Sequence, residues 1–122
     1  MTHPNREDVR RFLQEVKDVL TSPPGSLVSW VVVKREKNLR FIAQLGFNYD
    51  DVKDTVLGLS IEDYCEGPVD DRDQQGYVWI FGKTISGKEA YIKLKLATLD
   101  KLRSVRVVSF HEAEQVLKHP FK

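Results

Sequence analysis

From Asn5 onward, apolar residues return at three- and four-residue steps: Val9, Phe12, Leu13, Val16, Val19 and Leu20. That spacing lays one stripe along a helix within residues 1–22. Asn5 is placed to cap it, and Glu7 and Asp8 sit in the first turn, where the helix dipole favours acids. Ser22-Pro23-Pro24-Gly25 ends the pattern. The run LVSWVVVK at 27–34 is almost continuously apolar, which predicts a short strand buried on both faces. Residues 38–59 predict a helical pair, Asn38 to Leu45 broken at Gly46 and then Tyr49 to Leu59, with Val52, Val56 and Leu59 on one side. Residues 62–75 are polar around Gly67-Pro68 and predict an acidic loop.

The period changes to two at Tyr77. YVWIFGKTI, KEAYIKLKLA and SVRVVSFH are rich in β-branched and aromatic residues, with a Ser86-Gly87 turn and a charged connection between them. They predict a three-stranded antiparallel core over 77–111. In its middle strand Tyr91, Lys93 and Lys95 alternate with Ile92, Leu94 and Leu96, so a phenol and two ammoniums share one face. Strict alternation in the last strand groups Val105, Val107, Ser109 and His111 against Arg106, Val108 and Phe110. Neither group is purely polar, so alternation does not set His111 beside Tyr91. After His111 the tail EAEQVLKHPFK has room for one helical turn before Pro120 and is expected to be loose. The order of elements gives one α+β domain over 1–122, an antiparallel sheet of three to four strands with helices packed on one face.

Composition narrows the function classes. The 122 residues are 41% hydrophobic and 30% charged, ordinary for a globular chain. No apolar run approaches the ~20 residues a membrane span needs, and no signal-peptide pattern is visible. One cysteine, Cys65, leaves no internal disulfide, so a cytoplasmic setting is expected. The net charge is only +1, but it is polarised: residues 48–73 hold nine acids against two bases, and residues 83–106 seven bases against two acids. A basic strand region suits an anionic partner.

Metal chemistry fits poorly. Asp71-x-Asp73-x-Gln75-Gly76 starts like a calcium loop, but its twelfth position is Gly82, where a bidentate Glu is needed. Cys65 with His3, His111 and His119 lacks zinc-ligand spacing. Ser109 and His111 have no third member or nucleophile elbow, and Gly82-Lys83 lacks the phosphate-loop spacing. The residues left are Tyr91, Lys93, Lys95 and His111, with Lys83 and Arg106. They suffice for RNA cleavage without a metal or other cofactor: the 2′-OH attacks, His exchanges protons, Lys and Arg hold charge, and Tyr stacks or donates.

LGLSIEDYCEGP, YVWIFGK, KEAYIKLKL and VVSFHEAE, spanning Leu57 to Glu114, resemble the MqsR family of bacterial type II toxins. The resemblance implies a RelE-like α+β fold and an mRNA endoribonuclease, acting on free or ribosome-bound message and neutralised by an antitoxin encoded beside it. It places Tyr91 on an active-site Tyr, Lys93 on a matching Lys, and His111 where a catalytic Lys stands. It also expects a functional Lys at Glu66 and a functional Gln at Ile80. His111, Tyr91 and Lys93 are therefore the candidate catalytic residues, with Glu66 a candidate base; Lys95, Lys83 and Arg106 are candidate phosphate contacts. The departures at Glu66 and Ile80 keep a rival open, a non-catalytic RelE-like module that retains only antitoxin or nucleic-acid binding.

Overall fold

A computed structural model describes residues 4–122. His3, weighed above with the other histidines, lies outside them, as does the start of the segment expected as the first helix. The elements are α1 (Arg6–Leu20), β1 (Val28–Val32), α2 (Glu36–Leu45), α3 (Tyr49–Leu57), β2 (Tyr64–Asp70), β3 (Tyr77–Ile85), β4 (Lys88–Leu99) and β5 (Leu102–Glu112), with a single 3-10 turn at Ile61–Asp63. The chain is α+β, with a mixed five-stranded sheet in the order β1-β5-β4-β3-β2.

The first helix follows its stripe. Asn5 and Asp8 exchange side-chain-to-backbone hydrogen bonds at 2.9 Å, closing a capping box. Such a cap contributes about 1 kcal/mol, whereas each fully buried Val, Leu or Phe contributes roughly 1.5–3 kcal/mol. The stripe from Val9 to Leu20, all buried, therefore decides where α1 lies. It packs on the face of the sheet that carries Phe81, Ile92, Leu94 and Phe110, with Phe12 stacked 4.5 Å from Trp79. Gly46 ends α2 at φ +68°, a left-handed turn that glycine makes without a Cβ penalty.

Two expectations about the strands fail here, and the strand count shifts slightly. The 27–34 strand is not buried on both faces: β1 is an edge strand, paired only with β5 and in parallel, and Val31 is 42% exposed. An apolar run cannot distinguish burial from an edge whose apolar groups are half covered. The acidic loop at 62–75 is mostly the 3-10 turn and strand β2, leaving only residues 71–76 as loop. Gly67-Pro68 looked like a breaker, but β2 is the other edge, where a missing N–H costs no ladder bond. The sheet thus has five strands, where three to four were expected.

The C-terminal tail forms no helix and is not loose. Phe121 stacks on Tyr64 at 5.3 Å, beneath the guanidinium of Arg6. Leu117 crosses the sheet at Gly82, where any Cβ would stand 2.5 Å from its Cδ1. Gly82 is thus the notch that lets the tail lie against β3.

Candidate active site

Opposite the α1 face, the sheet opens into a cleft of about 1020 Å³. That is at the upper end of the ~300–1,000 Å³ of small-ligand sites. Its floor is set by register. β4 pairs with β5 so that Tyr91 stands opposite His111 and Lys93 opposite Ser109. β3 adds Gly82 opposite Tyr91 and Ile80 opposite Lys93, and β2 adds Glu66 opposite Ile80.

Alternation alone would not give this floor. Lys93 pairs with Ser109, but the next residue, Leu94, pairs with Val107, so Val108 is an extra residue in β5. The bulge reverses the parity of the strand. Val105, Val107 and Phe110 are all fully buried in the core, while Ser109 and His111 turn to the cleft. A side chain holds the bulge. Fully buried Asn38, on α2, donates through Nδ2 to Val33 O (2.9 Å) and Val108 O (3.1 Å) and accepts from Phe110 N at 2.9 Å. It stands in for a neighbouring strand where β1 has ended.

The His111 ring stacks on Tyr91, centroids 5.2 Å apart and planes 16° from parallel. His111 Nδ1 lies 3.0 Å from Glu112 O. A carbonyl only accepts, so this contact puts a proton on Nδ1 and leaves Nε2 as the free lone pair of the neutral ring. Burial first, and then the negative charge of Glu66, push the Tyr91 phenol above its ordinary range; Arg72 pulls the other way. Tyr91 is therefore a protonated O–H donor at neutral pH. Lys93 Nζ sits 5.8 Å from the Tyr91 ring.

Four of the sequence candidates meet in this cleft: His111, Tyr91, Lys93 and Glu66. Three do not line it. Lys95 is buried, donating from Nζ to Asp71 Oδ2 at 2.8 Å and to Gln75 O, so it is not free to meet a phosphate. Alternation put it on the correct face, but the 71–76 loop, which the sequence did not place, covers it. Lys83 pairs across the ladder with core residue Ala90, hence on the opposite face, and reaches Asp63 at 3.7 Å. Arg106 pairs with Lys95 farther along β5, outside the cleft. Residues that the sequence reading missed are Arg72 on the 71–76 loop, Arg35 and Lys37 at the start of α2, and the tail from Glu114 to Lys118. Arg35 and Lys37 are ion-paired with Asp73 and Glu114. No local pattern marks Arg72; it is one of two bases in an acidic run.

Cys65, His119 and Glu89 form a line of a different kind. Cys65 Sγ is 3.8 Å from His119 Nδ1, and His119 Nε2 is 3.5 Å from Glu89 Oε1. The order resembles a thiol nucleophile with its base and orienter. Burial first, then Glu89, Asp63 and Glu66, push the thiol up to about 12, so it stays protonated and unreactive. Iodoacetamide at pH 8 is expected to leave Cys65 of the folded protein largely unmodified, with labelling only after denaturation; mass spectrometry of the intact protein reads this. Rapid labelling of the native protein would restore the nucleophile reading. Among the described residues, no three His, Cys, Asp or Glu side chains gather as a metal site.

The family comparison bears on the whole of this architecture. Residues 13–112 match the family model described as motility quorum-sensing regulator, toxin of MqsA. The chain belongs to the MqsR toxin family. The match covers β1 through β5, and with them the bulge and the cleft floor. Comparison with curated proteins and with solved structures returned no match. Membership makes the chain the toxin of a toxin–antitoxin system and implies an antitoxin protein as its partner. No helix among the described residues is long and apolar enough to cross a membrane.

Proposed function

We propose that the cleft is the active site of an endoribonuclease that cleaves mRNA without a metal ion, by attack of the ribose 2′-OH on the adjacent phosphate. His111 Nε2 takes the 2′-OH proton. The 2′-oxygen then bonds to phosphorus, and Lys93 offsets the charge of the phosphorane. Tyr91 gives its proton to the departing 5′-oxygen, leaving a 2′,3′-cyclic phosphate and a 5′-hydroxyl. The observation that supports this most is the pairing of His111 with Tyr91, a lone pair and an O–H donor stacked on one cleft floor beside Lys93. Glu66 lies close enough to raise the phenol's pKa, and its role is to keep Tyr91 protonated.

Purified protein, a short RNA and EDTA test the reading. Cleavage is expected in EDTA, to be lost in His111→Ala and to stop when the nucleotide 5′ to the cut carries 2′-deoxyribose. A translation assay run alongside detects an enzyme that acts only on ribosome-bound message. Failure in both assays would sink the reading. A second reading has its own observation. Glu66 and Ile80 stand side by side on the cleft floor where the resemblance expects Lys and Gln, which suits a module that only binds its antitoxin. That module would bind the antitoxin without arresting growth when expressed alone; growth arrest relieved by the antitoxin gene excludes it.

The acid assignment also carries a pH signature. Glu66 raises the Tyr91 pKa, so Glu66→Gln must lower it. The alkaline limb of the cleavage profile, where the phenol is lost, is expected to move to lower pH in Glu66→Gln. An unmoved limb removes Tyr91 as the acid.

A further inference from the structure

We propose that Arg72 is the cation that grips the phosphate strand in this cleft, and that the buried Lys95–Asp71 pair is the latch that holds Arg72 over it. The inference rests on the RNA reading above and adds a residue to it. The 71–76 loop is tied at both ends: Asp71 N donates to Gly76 O at 2.9 Å, and Asp73 N donates to Asp71 Oδ1 at 3.0 Å. Beneath it, Lys95 Nζ binds Asp71 Oδ2 and Gln75 O, with only 6% of the Lys95 and 8% of the Asp71 side chain exposed. Asp73 pairs with Arg35, which also lines the cleft.

Both carboxylates flanking Arg72 are thus already engaged. Arg72 is exposed, has no ion pair among the described residues, and lines the cleft with Tyr91, Lys93 and His111. A guanidinium on a pinned loop loses less freedom on binding than one on a mobile loop. Its charge is already felt at Tyr91, against that of Glu66. The cleft floor carries a carboxylate at Glu66, and Arg72 sets positive charge against it in the same cleft from the next loop. Lys95 contributes through that loop without touching RNA.

The experiment measures binding separately from cleavage, using a short RNA with 2′-O-methyl at every ribose, whose nucleophile is blocked. Arg72→Ala is expected to bind about tenfold more weakly, the loss of one charge-assisted contact. The slope of log affinity against log salt should fall by about 0.7, the share of one phosphate on a single strand. Arg72→Lys should fall between, keeping charge but not the fork. Lys95→Met should weaken binding as Arg72→Ala does, and the double variant should be no weaker than Arg72→Ala alone. A Lys95 that merely stabilises the fold would add its own loss. If Lys95→Met does not fold, Asp71→Asn replaces it in the same cycle.

Wild-type affinity and slope in Arg72→Ala would overturn the proposal and leave the nuclease reading intact. Binding that depends on Arg72, with no cleavage of unmodified RNA on or off the ribosome, would overturn the nuclease reading and keep this site. No binding by the wild-type protein would overturn the proposal outright.

Discussion

Replacing His111 with alanine is expected to lower the rate of RNA cleavage by about 10²–10⁴-fold, the usual share of a positioned general base. The fold should survive. His111 is half-buried, its one side-chain hydrogen bond among the described residues is to the neighbouring carbonyl of Glu112, and its ring stacks on Tyr91. Losing that stack costs about 1 kcal/mol, which a shift in the urea midpoint would register without abolishing the transition. The effect on kcat therefore separates from the effect on stability. His111→Gln sharpens the test, because an amide keeps polar atoms in the cleft but cannot exchange a proton near neutral pH. If both variants cleave as the wild-type protein does, the base is not His111, and Glu66 is the remaining carboxylate on the cleft floor.

The second large effect is structural. Asn38→Ala is expected to destabilise the protein by about 2 kcal/mol or more, read as a lower urea midpoint with an unchanged slope. Two buried backbone groups, Val108 O and Phe110 N, lose their Asn38 partner together, while Val33 O keeps its bond from Arg35 N at 3.0 Å. Each orphaned group costs roughly 1–3 kcal/mol, against a total stability of about 5–15 kcal/mol for a domain of this kind. An exposed polar Asn would cost well under 1 kcal/mol to remove, so the size of the loss is diagnostic. Asn38→Asp should not rescue. Its carboxylate still accepts from Phe110 N but faces two carbonyls with no hydrogen to give. Because Phe110 lies between Ser109 and His111, a variant that remains folded in the cold should also lose cleavage. Unchanged stability in Asn38→Ala would mean that water takes over both buried contacts.

Much of this architecture was legible from residue order. The α1 stripe, the Asn5 cap, the stop at Gly46 and the three strands after Tyr77 follow from periods of 3.6 and 2 and from turn chemistry, all of which are local. Tyr91 and Lys93 were legible as neighbours on one face for the same reason. The edges of the sheet were not. Neither the apolar run of β1 nor Gly67-Pro68 in β2 reveals which strand lies beside it, and pairing decides whether such a segment is an edge strand or something else. The fate of each lysine was hidden as well. Lys93 and Lys95 are equivalent by alternation, yet one is open to the cleft and the other is buried under a loop that arrives from a different part of the chain.

The sequence by itself determined the α+β class, the helix that covers the core and the polar face bearing Tyr91 and Lys93, because each depends on residues close together in the chain. Only the tertiary structure decided that His111 joins them. That took one extra residue at Val108, which turns Ser109 and His111 away from the core while Val107 and Phe110 stay in it. The bulge is held by Asn38, 70 residues away in the sequence. Period-two counting cannot see it, because the energy that selects the bulge lies in buried hydrogen bonds between α2 and β5, not in the strand that carries it.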